Sequence, residues 1–222
     1  EPMMGAAGMI PQREDYLKFL REITTEHDIL LIFDEVITGR LSTGGLQEVY
    51  CVKPDITTLG KIIGGGFPVG ACGGREDVMD LFSPQRKEFI HHSGTFNGNA
   101  ITMEAGIASL EALTSSAIEK INTLGQNLKK EIEKLFQEED IPSQVTCIGS
   151  LGNIHFTKTD ITDYRTSETS NKDARKLVHI SMLNKGIFLA KRCMLVTSTV
   201  MNTTDIEKFV NTFKECITPL KS

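Results

Sequence analysis

The chain has 222 residues, 40% of them hydrophobic and 24% charged, a composition that can fill one large globular core or two smaller ones. Its formal net charge of −5 argues against a general nucleic-acid binder, and no apolar run is long enough to span a membrane. The five cysteines are scattered, odd in number and without metal-finger spacing, which fits a reduced cytoplasmic protein with no disulfide framework.

The sequence begins at Glu1 and runs quickly into an apolar helical pattern, as though entered partway through a fold. Residues 1–11 read as a strand end and a glycine-containing loop. Residues 11–27 carry Tyr16, Phe19, Leu20 and Ile23 at helical spacing. Residues 29–33 are five apolar residues without alternation, the pattern of a parallel strand buried on both faces. That strand runs into Asp34 and Glu35, and ligands bind beyond the carboxyl ends of strands in open α/β sheets. A flexible loop follows at 39–45. Residues 55–59 read as a second strand, with Lys61 just past its end and three glycines at 64–66. Residues 67–72 are expected to return as an antiparallel strand, and 75–82 as a short helix.

The stretch from Phe89 to Asn99 is dense in glycine and hydrogen-bonding groups. His91 and His92 are consecutive and point apart on an extended chain, with no Cys or carboxylate to complete a ligand set, so no metal site is expected. Ser93-Gly94-Thr95 is better suited to donating amides and hydroxyls to an anion. A helix of small residues is expected at 100–113. A long amphipathic one follows at 116–138, its stripe formed by Ile118, Ile121, Leu124, Leu128, Ile132 and Leu135. Beyond it the pattern changes to strands at 145–148 and 153–156, a polar mobile loop at 157–172 and a helix at 174–185 capped by Gly186. Strands at 187–190 and 194–198 and a final helix at 204–217 complete it. The expected organisation is therefore an α/β first part, residues 1–115, then a long linking helix and a small α+β domain, residues 116–222.

Lys61 lies between Leu59 and Ile62-Ile63 in an almost uncharged run. If those neighbours pack inward, desolvation lowers the amine's pKa and leaves it nucleophilic, as Schiff-base chemistry requires. A packed stem with a head that snorkels to water is the simpler account of a lone lysine. Asp34 and Lys61 at neighbouring strand ends put an acid and an amine on one edge of the sheet. Arg40 and Arg192 read as loop and surface arginines.

The stretches LLIFDEVITG at 30–39, PDITTLGKIIGGGFPVGA at 54–71, SGTFNGNA at 93–100 and KGIFLA at 185–190 together resemble the class III aminotransferases, pyridoxal-phosphate enzymes of fold type I. Within them the chain is most similar to the branch containing glutamate-1-semialdehyde 2,1-aminomutase. The resemblance implies the second half of the cofactor-binding large domain, a mostly parallel sheet flanked by helices, plus the small C-terminal domain. It implies a Schiff base between Lys61 and pyridoxal 5′-phosphate, Asp34 against the pyridine nitrogen and Val36 against the ring face. It also implies Gly94 and Thr95 at the cofactor phosphate of a neighbouring subunit, hence a homodimer with shared sites. The glycines at 64–66 then read as room beside the lysine for a flat cofactor.

Ala6, His91 and Ser93 stand where the aminomutase pattern carries an asparagine, a tyrosine and a glycine. These departures favour a general aminotransferase, acting on an amino donor and a keto acid, with the aminomutase and its amino aldehyde as the alternative. Family chains are about twice as long, so the resemblance assigns this chain to the C-terminal half. A fragment without turnover is the third reading.

Overall fold

The computed structural model describes residues 1–13 and 15–220. In chain order the elements are β1 (Met3–Met4), β2 (Ile10–Pro11), α1 (Tyr16–Glu26), β3 (Ile32–Asp34), α2 (Leu46–Val49), β4 (Ile56–Gly60) and β5 (Gly70–Gly74). They continue as α3 (Glu76–Met79), α4 (Ala100–Ala112), α5 (Ser115–Glu138), β6 (Gln144–Ile148), β7 (Leu151–His155) and α6 (Tyr164–Ser167). The last three are α7 (Lys172–Asn184), β8 (Met194–Val196) and α8 (Thr203–Ile217). No helix among the described residues is long and apolar enough to cross a membrane.

The chain divides into two compact units. The first comprises residues 1–2 and 13–115, the second residues 3–12 and 116–222. Residues 3–12 are expected in the first part from their sequence. They pack in the second unit instead, because β7 needs a cover on the face that carries His155. Thr146 Oγ1 donates to Gly8 O at 2.6 Å, and His155 Nε2 lies 3.1 Å from the same carbonyl.

The first unit holds a three-stranded sheet in the order β3-β4-β5. β3 and β4 are parallel with Phe33 opposite Thr57 and Asp34 opposite Thr58, and β5 returns antiparallel to β4. β3 is not the expected strand buried on both faces. The regular strand begins only at Ile32, and its residues alternate exposed, buried, exposed. Phe33 and Leu31 pack with Leu17 of α1 and Val52, whereas Ile32 on the opposite face is 53% exposed. The apolar run supplies two hydrophobic faces, and the described residues cover one.

Asp55 holds the start of β4 against β3. Its carboxylate accepts Leu31 N–H at 2.8 Å, Arg21 Nη1 at 2.8 Å and Arg75 Nη1 at 3.0 Å. These donors hold its pKa down at about 2, the Leu31 amide first and the two guanidiniums after it. The register that follows puts Lys61 beyond the end of β4 at the edge where β3 ends.

In the second unit β7 is the middle strand of an antiparallel sheet in the order β6-β7-β8, buried along its whole length. Ile154 joins a core built from Ile132 and Phe136 of α5, Val178 and Met182 of α7 and Phe213 of α8. Phe136 packs edge-on against both Phe156 and Phe213. The stripe expected on α5 is the buried face, and its charged far end carries exposed pairs such as Lys134–Glu138.

Two local expectations change. The polar segment 157–172 contains α6, whose first turn closes a capping box between Asp163 and Thr166. Residues 187–190 form no strand, because the Leu189 carbonyl bonds to His179 Nδ1 at 2.7 Å and Cys193 N–H turns back to Ala190 O.

Candidate active site

The parallel pairing of β3 and β4 places Asp34 and Lys61 at the same carboxyl edge of the first unit's sheet. Paired residues share a face and successive residues alternate. Asp34 therefore lies with Ile32, Ile56 and Thr58 on the uncovered face, and Phe33 lies with Thr57 and Leu59 on the other. A cavity of about 740 Å³ opens on the Thr57 and Leu59 side, and neither Asp34 nor Lys61 lines it.

Asp34 is exposed, and its Oδ1 accepts Val36 N–H at 3.0 Å, an Asx turn that carries the chain off the strand end. Its Oδ2 has no hydrogen bond among the described residues. Val36 is half-buried against the end of β4, where a β-carbon at Gly60 would lie 3.3 Å from Val36 Cγ1.

Glu35 is fully buried, a feature the sequence reading passes over. Its N–H donates to Thr58 O at 2.9 Å and extends the β3–β4 ladder by one residue. Its carboxylate accepts the Thr38 hydroxyl, Leu46 N–H at 2.9 Å and Gln47 N–H at 2.7 Å. An acceptor-only group suits this place because every partner is a donor. Gly45, at φ +75°, allows the approach: a β-carbon there would fall 2.8 Å from Glu35 Oε1. The loop at 39–45 is thus held by Glu35, where the sequence reading has a flexible one.

Lys61 is exposed, so its apolar neighbours do not supply the desolvation that the sequence pattern implies. Its backbone is the informative part. Lys61 adopts φ +49°, a left-handed conformation that costs a non-glycine residue on the order of 1 kcal/mol. It opens a single 3₁₀ turn, Lys61–Gly64. Ile62 O in that turn accepts Gly65 N–H at 3.2 Å and Ser109 Oγ at 3.0 Å.

Among the glycines beside Lys61, Gly66 at φ +98° has open space around it, whereas Gly65 serves a close approach of α4. Gly65 sits at φ +58°, and a β-carbon on it would lie 2.1 Å from Ala105 O of α4. A β-carbon on Gly106 would lie 2.3 Å from Ile63 O. The turn and α4 touch backbone to backbone, and both glycines are needed for that approach.

Gly94 and Thr95 are exposed on the loop before α4, where Asn97 N–H returns to Gly94 O at 3.0 Å. No hydrogen bond joins them to Asp34, Val36 or Lys61 among the described residues. His91 and His92 are exposed, with rings against Phe89 and Phe82. Arg192 is exposed, with Nη2 3.2 Å from Met194 Sδ. Arg40 is half-buried, and burial lowers its pKa. Burial pushes the Cys147 thiol up to about 11 and Cys193 up to about 12, which suppresses the thiolate a nucleophile needs.

Comparison with known proteins defines the class. The family model "Aminotransferase class-III" matches residues 1–217. A glutamate-1-semialdehyde 2,1-aminomutase of Methanosphaera stadtmanae is 40% identical over 225 residues, covering 99% of this chain and 52% of the relative. The crystal structure of a β-phenylalanine aminotransferase from Variovorax paradoxus superposes with a TM-score of 0.93 at 40% identity, over 97% of this chain and 50% of that one. A glutamate-1-semialdehyde aminomutase from Pseudomonas aeruginosa in complex with PMP superposes at 0.89 and 27% identity, over 98% and 50%.

The chain belongs to the class III aminotransferase family. The fold expectation holds: helix and sheet superpose on half of these fold type I chains. The chain spans about half the length of the curated relatives it matches.

Proposed function

We propose that the protein is a cytoplasmic pyridoxal-phosphate-dependent enzyme of amino-group transfer, with Lys61 as the covalent anchor of the cofactor. The observation that carries this reading is the acid–amine pair at one sheet edge. Asp34 ends β3, and Lys61, held in a left-handed conformation, follows the end of the parallel neighbour β4. The donor set fits the cofactor: a carboxylate with one oxygen turned to no other group suits a ring N–H, and a primary amine suits an aldehyde. The aminomutase and aminotransferase relatives support the same chemistry, as does the neighbour in complex with PMP. The five free thiols agree with a reducing compartment.

Each residue then has a physical task. Asp34 would accept the ring N–H and keep that nitrogen protonated. Val36, which packs against Gly60, would be the apolar contact for the ring face. When bound, the cofactor supplies an electron sink for the carbanion left by loss of a proton from substrate. Lys61, an exposed amine at the strand end, would move that proton between the substrate carbon and the cofactor carbon. Gly94 and Thr95 would hold the cofactor phosphate of a second copy in a homodimer. Exposed apolar residues around that loop, Phe96 at 82% and Ile101 at 63%, support burial against another surface. The substrates are an amino donor and a keto acid.

A second reading, intramolecular transfer on an amino aldehyde, is favoured by the 40% identity to the Methanosphaera aminomutase. Incubation with pyridoxal phosphate, an amino acid and a keto acid separates the readings by product. Transfer between two molecules supports an aminotransferase, and rearrangement of one amino aldehyde supports an aminomutase. Lys61→Ala should abolish either. Wild-type turnover that survives Lys61→Ala refutes the assignment of the anchor.

A further inference from the structure

A left-handed lysine persists only where its surroundings hold it. The turn that Lys61 opens packs on α4. Ile62 O, the carbonyl of the residue after Lys61, accepts Ser109 Oγ at 3.0 Å from 47 residues away. Gly106 lets the helix backbone approach so closely that a β-carbon would fall 2.3 Å from Ile63 O. Gly65 completes the fit from the other side, with Ala105 O 2.1 Å from where its β-carbon would stand. Thr102 and Gly106 are the buried residues of α4, while Ile107 and Leu110 are about half exposed. The helix therefore presses its Thr102–Gly106–Ser109 side onto the lysine turn and leaves its larger side chains outside.

We propose that Ser109 and Gly106 are positioning residues for Lys61. They fix the 3₁₀ turn that aims the amine from the end of β4, and they touch neither substrate nor cofactor. The inference rests on the reading of Lys61 as the cofactor anchor. In chemical terms, the strand end supplies the position of the lysine and α4 supplies its direction. A serine hydroxyl is suited to this because it donates one hydrogen bond to a carbonyl that already accepts another from Gly65 N–H. Removing it leaves the turn with its internal bond alone. A methyl group on Gly106 acts differently, by pushing Ile63 O and the turn away from the helix.

The test uses the full chain and two readouts, one of them independent of the cofactor. The first is amide exchange at Gly65, whose N–H closes the turn onto Ile62 O. Ser109→Ala and Gly106→Ala should speed it about ten-fold, Ser109→Thr should restore the slow rate, and Glu104→Ala, at an exposed position on the same helix, should leave it unchanged. The second is trapping with one equivalent of pyridoxal phosphate. The amine condenses with the aldehyde and releases water, and borohydride reduces the resulting C=N bond to a secondary amine that peptide mass mapping locates. Both disruptive variants should lose Lys61 adduct several-fold, and Ser109→Thr should recover it. Unchanged exchange overturns the inference. Faster exchange with undiminished Lys61 adduct also overturns it, since α4 would then hold the turn without aiming the amine. If the wild-type chain forms no adduct at Lys61, the anchor assignment fails, and the exchange arm alone reports whether α4 holds the turn. Should Gly106→Ala fail to fold, Ser109→Ala carries the test.

Discussion

Replacing Asp55 by Asn probes the register on which the site depends. The carboxylate accepts Leu31 N–H, Arg21 and Arg75, which lower its pKa from 3.8 to about 2. A lowering of that size corresponds to ~2.5 kcal/mol at most, at about 1.4 kcal/mol per pH unit. The Arg75 side chain is 48% exposed, so solvent screens its share and leaves about 1–2 kcal/mol. The folded pKa is depressed, so this stability is fully present above the usual carboxylate value near 4 and is lost as pH falls toward about 2. Asp55→Asn should therefore cost about 1–2 kcal/mol at pH 7 and close to nothing near pH 2. Urea titration followed by circular dichroism at several pH values measures the difference. Exchange at the Leu31 amide, which donates directly to Asp55, should quicken about ten-fold at pH 7. Equal stability at pH 7, or a constant gap between the two proteins down to pH 2, would refute the reasoning.

Glu35→Ala strands three donors, from Thr38, Leu46 and Gln47, and should destabilise the first unit by about 2–4 kcal/mol in the same titration. Gly45→Ala should act in the same direction, because its methyl group meets the Glu35 carboxylate. In the second unit, burial holds the His155 pKa below its ordinary 6.5, against the opposing pull of the Gly8 carbonyl; Arg175 adds a smaller lowering. The neutral ring is the folded form, so stability is full above about pH 6.5 and falls as pH drops through the lowered folded value. This acid-side loss should be much smaller in His155→Gln, as measured by the pH dependence of thermal unfolding.

Much of this architecture is legible in residue order, for reasons that differ between elements. α5 shows its buried face because six apolar residues repeat at helical spacing on a polar background. Asp34 and Lys61 are legible because strands that end in a charged residue announce a sheet edge. What stays hidden depends on partners far along the chain. The apolar run 29–33 says that both faces of β3 can be buried, but not that the described residues cover only one. Residues 187–190 look like a strand until His179 takes the Leu189 carbonyl. Glu35 looks like one more loop charge until α2 turns its amides toward it. The glycines after Lys61 mark a close approach, and the sequence does not say that the approaching body is α4. Ala105, Gly106 and Ser109, small residues at helical spacing on one side of α4, are the signal that could have pointed there.

The central claim is that Lys61 is the amine that anchors pyridoxal phosphate. The most direct measurement is the visible spectrum of the chain on addition of one equivalent of the cofactor, followed by borohydride reduction and peptide mass mapping. The account predicts an absorption band that reduction bleaches, with a single cofactor-derived adduct on Lys61 and neither band nor adduct in Lys61→Ala. An adduct that spreads over exposed lysines such as Lys53 and Lys87, or a band that survives Lys61→Ala, would contradict it.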